Sequence, residues 1–158
     1  MRIALALAGA CFAALPSSAR AQSADSAAVV KVATSLFDAM RKRDTTMLKA
    51  AFAPDARLVT AVASRDGAPR VLVEKLEGFV NALAQPSPDV WDERTFATEV
   101  RIDGNLAAVW MEYDFYLGPK FLHCGVDSFQ MAKYPEGWKI VALADTRRQQ
   151  GCTRAPKG

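Results

Sequence analysis

The spacing of apolar residues changes part-way along this chain, and that change limits its possible folds more than any other feature. In three segments before residue 85, apolar side chains recur at steps of three and one, which places them on one face of an α-helix. From Thr95 onwards they alternate with polar side chains, which is the period of a β-strand. Helices gathered before a run of strands with short turns indicate an α+β fold, because such strands must be antiparallel.

The predicted elements follow from capping residues, prolines and turn dipeptides. Asp25 caps a first helix that ends near Arg43, and Asp44 caps a second helix that stops at Pro54. A third helix begins near Glu74. Residues 56–63 form a strand that pairs with residues 70–73 across a turn, and four later strands cover residues 95–103, 107–117, 121–132 and 138–147.

The N-terminus has the pattern of a secretory signal peptide. Residues 3–15 are almost wholly apolar, Pro16 breaks the run, and Ala19-Arg20-Ala21 has the small-x-small form of a cleavage site. We therefore expect cleavage after Ala21, a single domain over residues 22–158 and a periplasmic or secreted protein. The run is too short to span a bilayer. A buried N-terminal helix and lipoprotein processing at Cys11 are the alternatives.

Composition and missing motifs exclude several classes of function. The 158 residues allow one domain, and 51% hydrophobic residues exclude a disordered chain. A net charge of +3 is too weak to indicate a nucleic-acid partner. The chain lacks phosphate-binding glycine loops, a Gly-x-Ser-x-Gly elbow and Cys-x-x-Cys. With a single histidine it also has no set of several histidines for a metal. We predict no cofactor and no metal.

Two cysteines remain after removal of the signal peptide. They are Cys124 and Cys152, and an oxidising compartment favours a disulfide between them. The alternative is two unpaired thiols, one of them buried in a strand.

Several short segments form a recognisable set: residues 36–40, Asp44 and residues 51–56 near the start, then residues 123–129, 137–140, 146–148 and Cys152 near the end. Together they resemble the nuclear transport factor 2-like superfamily, particularly its exported SnoaL-like members. The resemblance implies a cone-shaped domain in which three N-terminal helices pack on a strongly curved, mainly antiparallel sheet, with a pocket between them. Many relatives dimerise through the outer face of the sheet, whereas their activities differ widely, so the fold does not fix a function.

The side chains on each face of the sheet can be assigned by counting from the turns. If Leu117 lies opposite Lys120, then Asp114 faces His123 on the next strand. One face then carries Trp110, Glu112, Asp114, His123, Asp127 and Phe129, and the other is more uniformly apolar, with Met111 and Tyr113. Burial alone would place the more apolar face inside. The resemblance instead implies that Asp127 and Phe129, on the other face, look inward. A single β-bulge would exchange some of these assignments.

If Asp127 and Phe129 face inward, their side of the sheet lines the pocket and carries the candidate site. His123 beside Asp114 would form a proton-transfer pair with a raised histidine pKa, and Asp127 would be a second acid or base. The pocket candidates for ligand binding are Trp110, Glu112 and Phe129. The alternative is that Asp114 and His123 form only a cross-strand salt bridge.

Three functions are compatible with these observations. We predict an exported domain that binds a small, largely apolar molecule and forms a homodimer through the sheet face, because the other face would then be a large exposed apolar surface. The first alternative is a cofactor-independent lyase or isomerase in which His123 or Asp127 transfers a proton. The second is a protein-interaction module.

Overall fold

The computed structural model describes the backbone of residues 17–152 and the side chains of residues 22–152. Its helices are α1 (Ser17–Lys42), α2 (Thr45–Ala51) and α3 (Leu76–Ala84). Its strands are β1 (Phe52–Ala63), β2 (Pro69–Lys75), β3 (Trp91–Asp103), β4 (Leu106–Leu117), β5 (Lys120–Tyr134) and β6 (Gly137–Thr146). The predicted α+β class is confirmed, while residues 1–16, with most of the predicted signal peptide, lie outside the described residues.

The first helix begins earlier than predicted, so Asp25 is not its N-cap. Helix α1 starts at Ser17, and the Asp25 carboxylate instead accepts hydrogen bonds from Lys133 Nζ (2.7 Å) and Trp138 Nε1 (3.1 Å). Helical propensity continues through the alanine-rich residues before Asp25, which leaves this side chain free to tie the helix to the sheet. Processing after Ala21 would remove the first five residues of α1.

The predicted cap of the second helix is confirmed. The Asp44 carboxylate accepts hydrogen bonds from the backbone N–H groups of Thr46 (3.0 Å) and Met47 (2.8 Å). The second helix ends at Ala51, and Pro54 lies inside β1 rather than in a loop after the helix. An extended backbone suits proline, whose fixed φ ends a helix but is compatible with a strand.

The six strands form one sheet in the order β2-β1-β6-β5-β4-β3. Only β1 and β6 run parallel among the pairs of neighbouring strands in the described part of the chain. The curved sheet wraps the helices, and the core between them is built on Leu36, Leu48, Leu83, Phe129 and Ile140, each of which is no more than 1% exposed. No helix in the described range is long and apolar enough to cross a membrane.

Two β-bulges correct the predicted faces of the sheet. Leu117 does lie opposite Lys120, but Leu122 is an extra residue in β5, so Phe115 rather than Asp114 faces His123. A second extra residue, Val141, shifts β6 in the same way. Each bulge changes the alternation by one residue. His123, Asp127 and Phe129 therefore share the inner face with Met111 and Tyr113, whereas Trp110, Glu112 and Asp114 point the other way.

The predicted disulfide is confirmed. Cys124 and Cys152 are joined by an S–S bond of 2.05 Å, with a Cα–Cα distance of 5.8 Å. Beside it, Cys124 and Arg148 exchange two backbone hydrogen bonds of 2.9 Å. The bridge and these hydrogen bonds hold the chain after β6 against β5.

Candidate functional site

A cavity of about 380 Å³ lies between α1, α3 and the inner face of the sheet. This volume is near the lower end of the range for small-molecule pockets. Its apolar wall consists of Leu36, Phe37, Met40, Leu58, Phe79, Trp91, Phe115, Leu117, Leu122 and Leu143. Its polar side chains are Thr60, Glu74, Glu93, Tyr113, His123, Asp127, Asp145 and Arg147.

Aromatic rings form a continuous part of the cavity wall. Phe79 stacks on Trp91 with ring centroids 6.4 Å apart, and Trp91 contacts the edge of Phe115 at 6.5 Å. Phe115 in turn stacks on the His123 imidazole at 5.0 Å, with 19° between the planes. Such a wall suits a flat ligand, because aromatic faces and edges pack efficiently against another ring.

Two carboxyl groups meet inside the cavity, from Glu93 on β3 and Asp127 on β5. They are hydrogen-bonded to each other, which requires that one of them carries a proton. Asp127 is 3% exposed, and no protein donor in the described residues reaches its Oδ2 atom. A proton shared with Glu93 therefore satisfies a group that would otherwise be a buried, unpaired charge.

Burial sets the pKa values of this carboxyl pair. Burial raises the pKa of Asp127 to about 7, and the neighbouring charge of Asp145 acts in the same direction. Burial also raises the pKa of Glu93 well above its usual range, and repulsion from the Asp127 carboxylate adds to that effect. Near neutral pH the pair therefore holds at least one proton, which the hydrogen bond between the two carboxyl groups shares.

An ion pair at the end of β6 borders the carboxyl pair. The Asp145 carboxylate accepts hydrogen bonds from Arg147 Nε (2.7 Å) and from the Thr60 hydroxyl (2.6 Å). Arg147 Nη2 also donates to Thr60 Oγ1 at 3.3 Å. These contacts hold the Arg147 guanidinium in place, and Arg147 is the one arginine among the described residues that line the cavity. The Asp145 carboxylate offsets much of the positive charge of this guanidinium.

Tyr113 and Gly125 fix the position of His123. The Tyr113 hydroxyl donates to the Thr146 carbonyl oxygen at 2.8 Å and lies 3.4 Å from His123 Nδ1. Gly125 lies opposite Tyr113, and a Cβ atom there would be 1.8 Å from the Thr146 oxygen and 2.8 Å from the Tyr113 ring. Only glycine allows this close approach of side chain and backbone.

The His123 imidazole is neutral at physiological pH, contrary to the sequence-based expectation. Burial, with a further contribution from the nearby Arg147 guanidinium, lowers its pKa to about 4. The bulge at Leu122 causes this difference, since it places Phe115 opposite His123 and moves Asp114 to the other side of the sheet. His123 can therefore offer one N–H donor and one acceptor nitrogen but is not a ready general acid.

The histidine pKa can be measured directly because His123 is the only histidine in the sequence. In untagged protein, we expect its imidazole proton resonances to titrate with a midpoint near 4 rather than near the ordinary value of about 6.5. The same resonances in urea-unfolded protein provide the control and should titrate near 6.5. A folded-state midpoint at or above 6.5 would contradict the buried, uncharged imidazole.

The structure brings together some of the predicted site residues and separates others. His123 and Asp127 line the cavity, and Phe129 is buried behind it against Phe37, with ring centroids 6.2 Å apart. Trp110, which is 49% exposed, lies on the outer face with Glu112 and Asp114, because the bulge in β5 changes which β4 side chains share its inner face. The predicted Asp114–His123 pair is therefore wrong.

Sequence reasoning missed Glu93, Thr60 and Asp145. Glu93 is two residues from both Trp91 and Thr95, a spacing that places the three side chains on one face of a strand. The predicted strand began only at Thr95, so Glu93 was left outside it. No group of three or more metal-ligating side chains within residues 17–152 is arranged to hold a metal ion.

The sequence matches a known family over most of its length. A family model described as "Putative lumazine-binding" matches residues 24–144. The chain belongs to this lumazine-binding-like family. Its fold is that of the nuclear transport factor 2-like superfamily, as the sequence motifs indicated. No curated protein matches the chain in sequence.

Solved structures with the same fold have varied descriptions. A nuclear transport factor 2-like protein of unknown function from Shewanella baltica covers 80% of this chain and 95% of its own, at 19% identity and a TM-score of 0.61. A "putative dehydratase" of that family from Streptomyces avermitilis covers 80% and 98%, at 16% identity and a TM-score of 0.62. The beta subunit of a "putative aromatic-ring-hydroxylating dioxygenase" from Novosphingobium aromaticivorans covers 81% and 91%, at 12% identity and a TM-score of 0.65. These likenesses concern the fold alone.

Proposed function

We propose that this lumazine-binding-like domain binds a small, largely apolar, flat molecule in the cavity between its helices and sheet. The observation that carries the proposal is the combination of an aromatic wall with one proton-sharing carboxyl pair inside the same cavity. The wall supplies contact area for a ring system. The proton of the pair is engaged between the two carboxyl groups, so the pair would accept a hydrogen bond from a ligand through its free lone pairs and orient a ligand with one polar edge.

A blocked cavity tests this proposal. Leu122 is half-buried at the bulge and lines the cavity, so Leu122→Trp is expected to fill it. After exposure to a periplasmic extract, native mass spectra of unreduced wild-type protein should contain a retained small molecule that the variant lacks. Trp110→Leu, on the outer face, is the matched control and should retain the molecule. Retention by Leu122→Trp, or an empty wild-type protein, would contradict the proposal.

A second candidate function is a cofactor-independent lyase or isomerase with Asp127 as the base. The raised pKa of this buried carboxyl favours Asp127 over His123 as the proton-transfer group. With α-tetralone as the probe in D₂O, an ionised Asp127 would remove a proton from the carbon beside the carbonyl and return a deuteron. We expect exchange to rise through an apparent pKa of about 7 and to vanish in Asp127→Asn. Exchange at unchanged rate in Asp127→Asn would contradict this candidate.

We also propose that the domain acts outside the cytoplasm. The Cys124–Cys152 disulfide supports this location, since such bonds persist in oxidising compartments. The apolar N-terminal segment and the Ala19-Arg20-Ala21 site indicate the route. N-terminal sequencing of protein recovered from the periplasm should begin at Gln22. Cytoplasmic protein that still begins at Met1 would contradict it.

The homodimer predicted from the sequence stays a prediction and needs a different surface. Met111 and Tyr113, which were assigned to an exposed apolar face, are 0% and 1% exposed in the interior. The outer face opposite them is polar around Glu112, and the exposed apolar side chains of β4 on this face include Trp110 and Leu106. An interface on this face would therefore include Trp110 and Leu106.

A further inference from the structure

Strand β2 is an open edge of the sheet whose three central residues carry neither a charge nor a proline. It is the last strand in the order and, among the described strands, pairs only with β1. Three consecutive apolar side chains on it are exposed: Val71 by 63%, Leu72 by 41% and Val73 by 71%. Proteins usually protect edge strands with charges, prolines or bulges, because an open apolar edge pairs readily with another strand.

The opposite edge of the same sheet does have such protection. Strand β3 contains an irregularity between Phe96 and Glu99, where Ala97 has a positive φ of 48°. Charged side chains at Arg94, Glu99 and Arg101 also interrupt its outer part. In contrast, β2 pairs with β1 without any register shift from Pro69 to Lys75. The proline and charged residues of β2 lie at its two ends, so its regular, apolar centre is the part of the two edges that is suited to pairing.

The backbone of β2 directs alternate hydrogen-bonding groups toward the open edge. The Ser64 N–H donates to the Ala68 carbonyl oxygen at 2.9 Å, which makes this the first hydrogen-bonded pair of the β1–β2 ladder. Hydrogen-bonded and non-hydrogen-bonded pairs alternate in an antiparallel ladder. Even-numbered residues of β2 therefore bond to β1, and the N–H and C=O groups of Val71 and Val73 face outward.

We propose that β2 pairs antiparallel with β2 of a second copy of this chain, centred on Leu72. In this register Val71 lies opposite Val73 of the second copy, and the two residues exchange both of their outward backbone hydrogen bonds. Leu72 then lies opposite Leu72 of the second copy in a non-hydrogen-bonded pair, where side chains approach most closely. The two sheets would join into one of twelve strands, a count that follows from six in each copy.

Charge complementarity selects this register and the second copy as the occupant. With Leu72 at the centre, Arg70 lies opposite Glu74 of the second copy, and the pair occurs twice by symmetry. A shift that centres the pair on Arg70 or Glu74 places like charges opposite each other, which is unfavourable. Centring on Val71 places Leu72 opposite the charged Arg70. Centring on Val73 places Leu72 opposite Glu74.

Cysteine substitution tests directly which residues of the two β2 strands lie opposite each other. In the proposed pairing only residue 72 faces its own copy, at the Cα spacing of about 4.5 Å typical of non-hydrogen-bonded pairs, which a disulfide can bridge. Under mild oxidation, with the native disulfide intact, Leu72→Cys should give a covalent dimer within minutes. Val71→Cys and Val73→Cys are matched controls that should cross-link at least tenfold more slowly. Equal or faster cross-linking through either control would overturn the register.

A charge exchange tests the same pairing without relying on oxidation. Arg70→Glu and Glu74→Arg each place like charges opposite each other, so each variant alone should have a dimer dissociation constant at least tenfold above that of the wild type. Mixed together, the two variants should form a heterodimer, because opposite charges again face each other. Circular dichroism would verify that both variants are folded, and Val71→Lys replaces either one that is not.

The measurement for these variants is sedimentation velocity over a range of concentrations. A monomeric wild-type protein at 200 μM, or a mixture of the charge variants that stays monomeric, would overturn the proposal. So would a dimer that dissociates in Trp110→Arg but remains unchanged in both charge variants, since that result assigns the interface to the outer face of the sheet. The cavity variant Leu122→Trp should still dimerise, so loss of ligand binding and loss of edge pairing are distinguishable.

Discussion

Replacement of Asp127 by asparagine should stabilise the folded protein by about 4 kcal/mol at pH 8 and have almost no effect below pH 4. In the wild type, the Asp127 carboxyl has a pKa of about 7 when folded, against an ordinary value of 3.8. The difference of about three pKa units corresponds to roughly 4 kcal/mol. The asparagine side chain would carry no charge at any pH and would therefore avoid the cost of a buried carboxylate.

The sign of this effect follows from proton binding. Between pH 4 and pH 7 the folded wild-type protein holds a proton on Asp127 that the unfolded chain has released. Stability therefore falls as the pH rises through this window. The contribution of His123 to stability changes with pH in the opposite direction. Its folded pKa of about 4 lies below the unfolded value, so stability is lost as the pH falls from 6.5 toward 4.

Urea unfolding of the wild type and Asp127→Asn from pH 4 to pH 8.5 measures this difference. Asp38→Asn is the matched control, because Asp38 is exposed on α1 and its ion pair with Arg41 is a surface one, so this variant should differ little in stability from the wild type. A stability difference between Asp127→Asn and the wild type that stays constant with pH would contradict the raised pKa. A variant that is less stable at pH 8 would contradict the buried-charge explanation altogether.

Loss of the disulfide should produce an effect of similar size and opposite sign. Cys124 and Cys152 are 28 residues apart, and closing a loop of this length contributes about 3–4 kcal/mol by the chain-entropy model. Cys152→Ser should therefore lower the free energy of unfolding by about that amount. Cys152 is the better site for the change because Cys124 is 2% exposed and its side chain also packs in the interior.

The disulfide should also affect the cavity, because it holds the chain beside Arg147. Cys124 exchanges backbone hydrogen bonds with Arg148, the residue after the guanidinium that lines the cavity. In Cys152→Ser, amide hydrogen exchange should become faster at Arg148 while the hairpin β1–β2 keeps its protection. Reduced wild-type protein should behave like the variant. Equal urea midpoints for the oxidised wild type and Cys152→Ser would show that the bridge adds no stability.

Local patterns in the sequence predicted most elements of this fold. The N-cap at Asp44, the β1–β2 hairpin and the four later strands each rest on neighbouring residues, and the structure contains them all. The disulfide also followed from counting cysteines. Helix α1 was misjudged at its start because alanine-rich segments lack a clear boundary, and Asp25 offered a plausible cap that the tertiary structure uses otherwise.

The candidate site was predicted only in part because it depends on bulges and on non-local contacts. Leu122 and Val141 have no sequence feature that distinguishes them from regular strand residues, yet each changes the face assignment of a neighbouring strand. Glu93 meets Asp127 across the curvature of a sheet whose strands β3 and β5 are not adjacent. Sequence periodicity within one strand cannot indicate such a contact.

Chemical-shift mapping at His123 tests most directly whether this cavity binds a flat, largely apolar molecule. The probes are 2-naphthol, α-tetralone and lumazine, each a flat ring system with one or more polar edges. We expect at least one of them to shift the resonances of His123 and Trp91, through ring currents inside the cavity, and to leave Trp110 on the outer face unchanged. The same probe should produce no shift at His123 in folded Leu122→Trp. If no probe shifts His123 in the wild type, or if the shifts occur only at Trp110, the cavity is not the binding site.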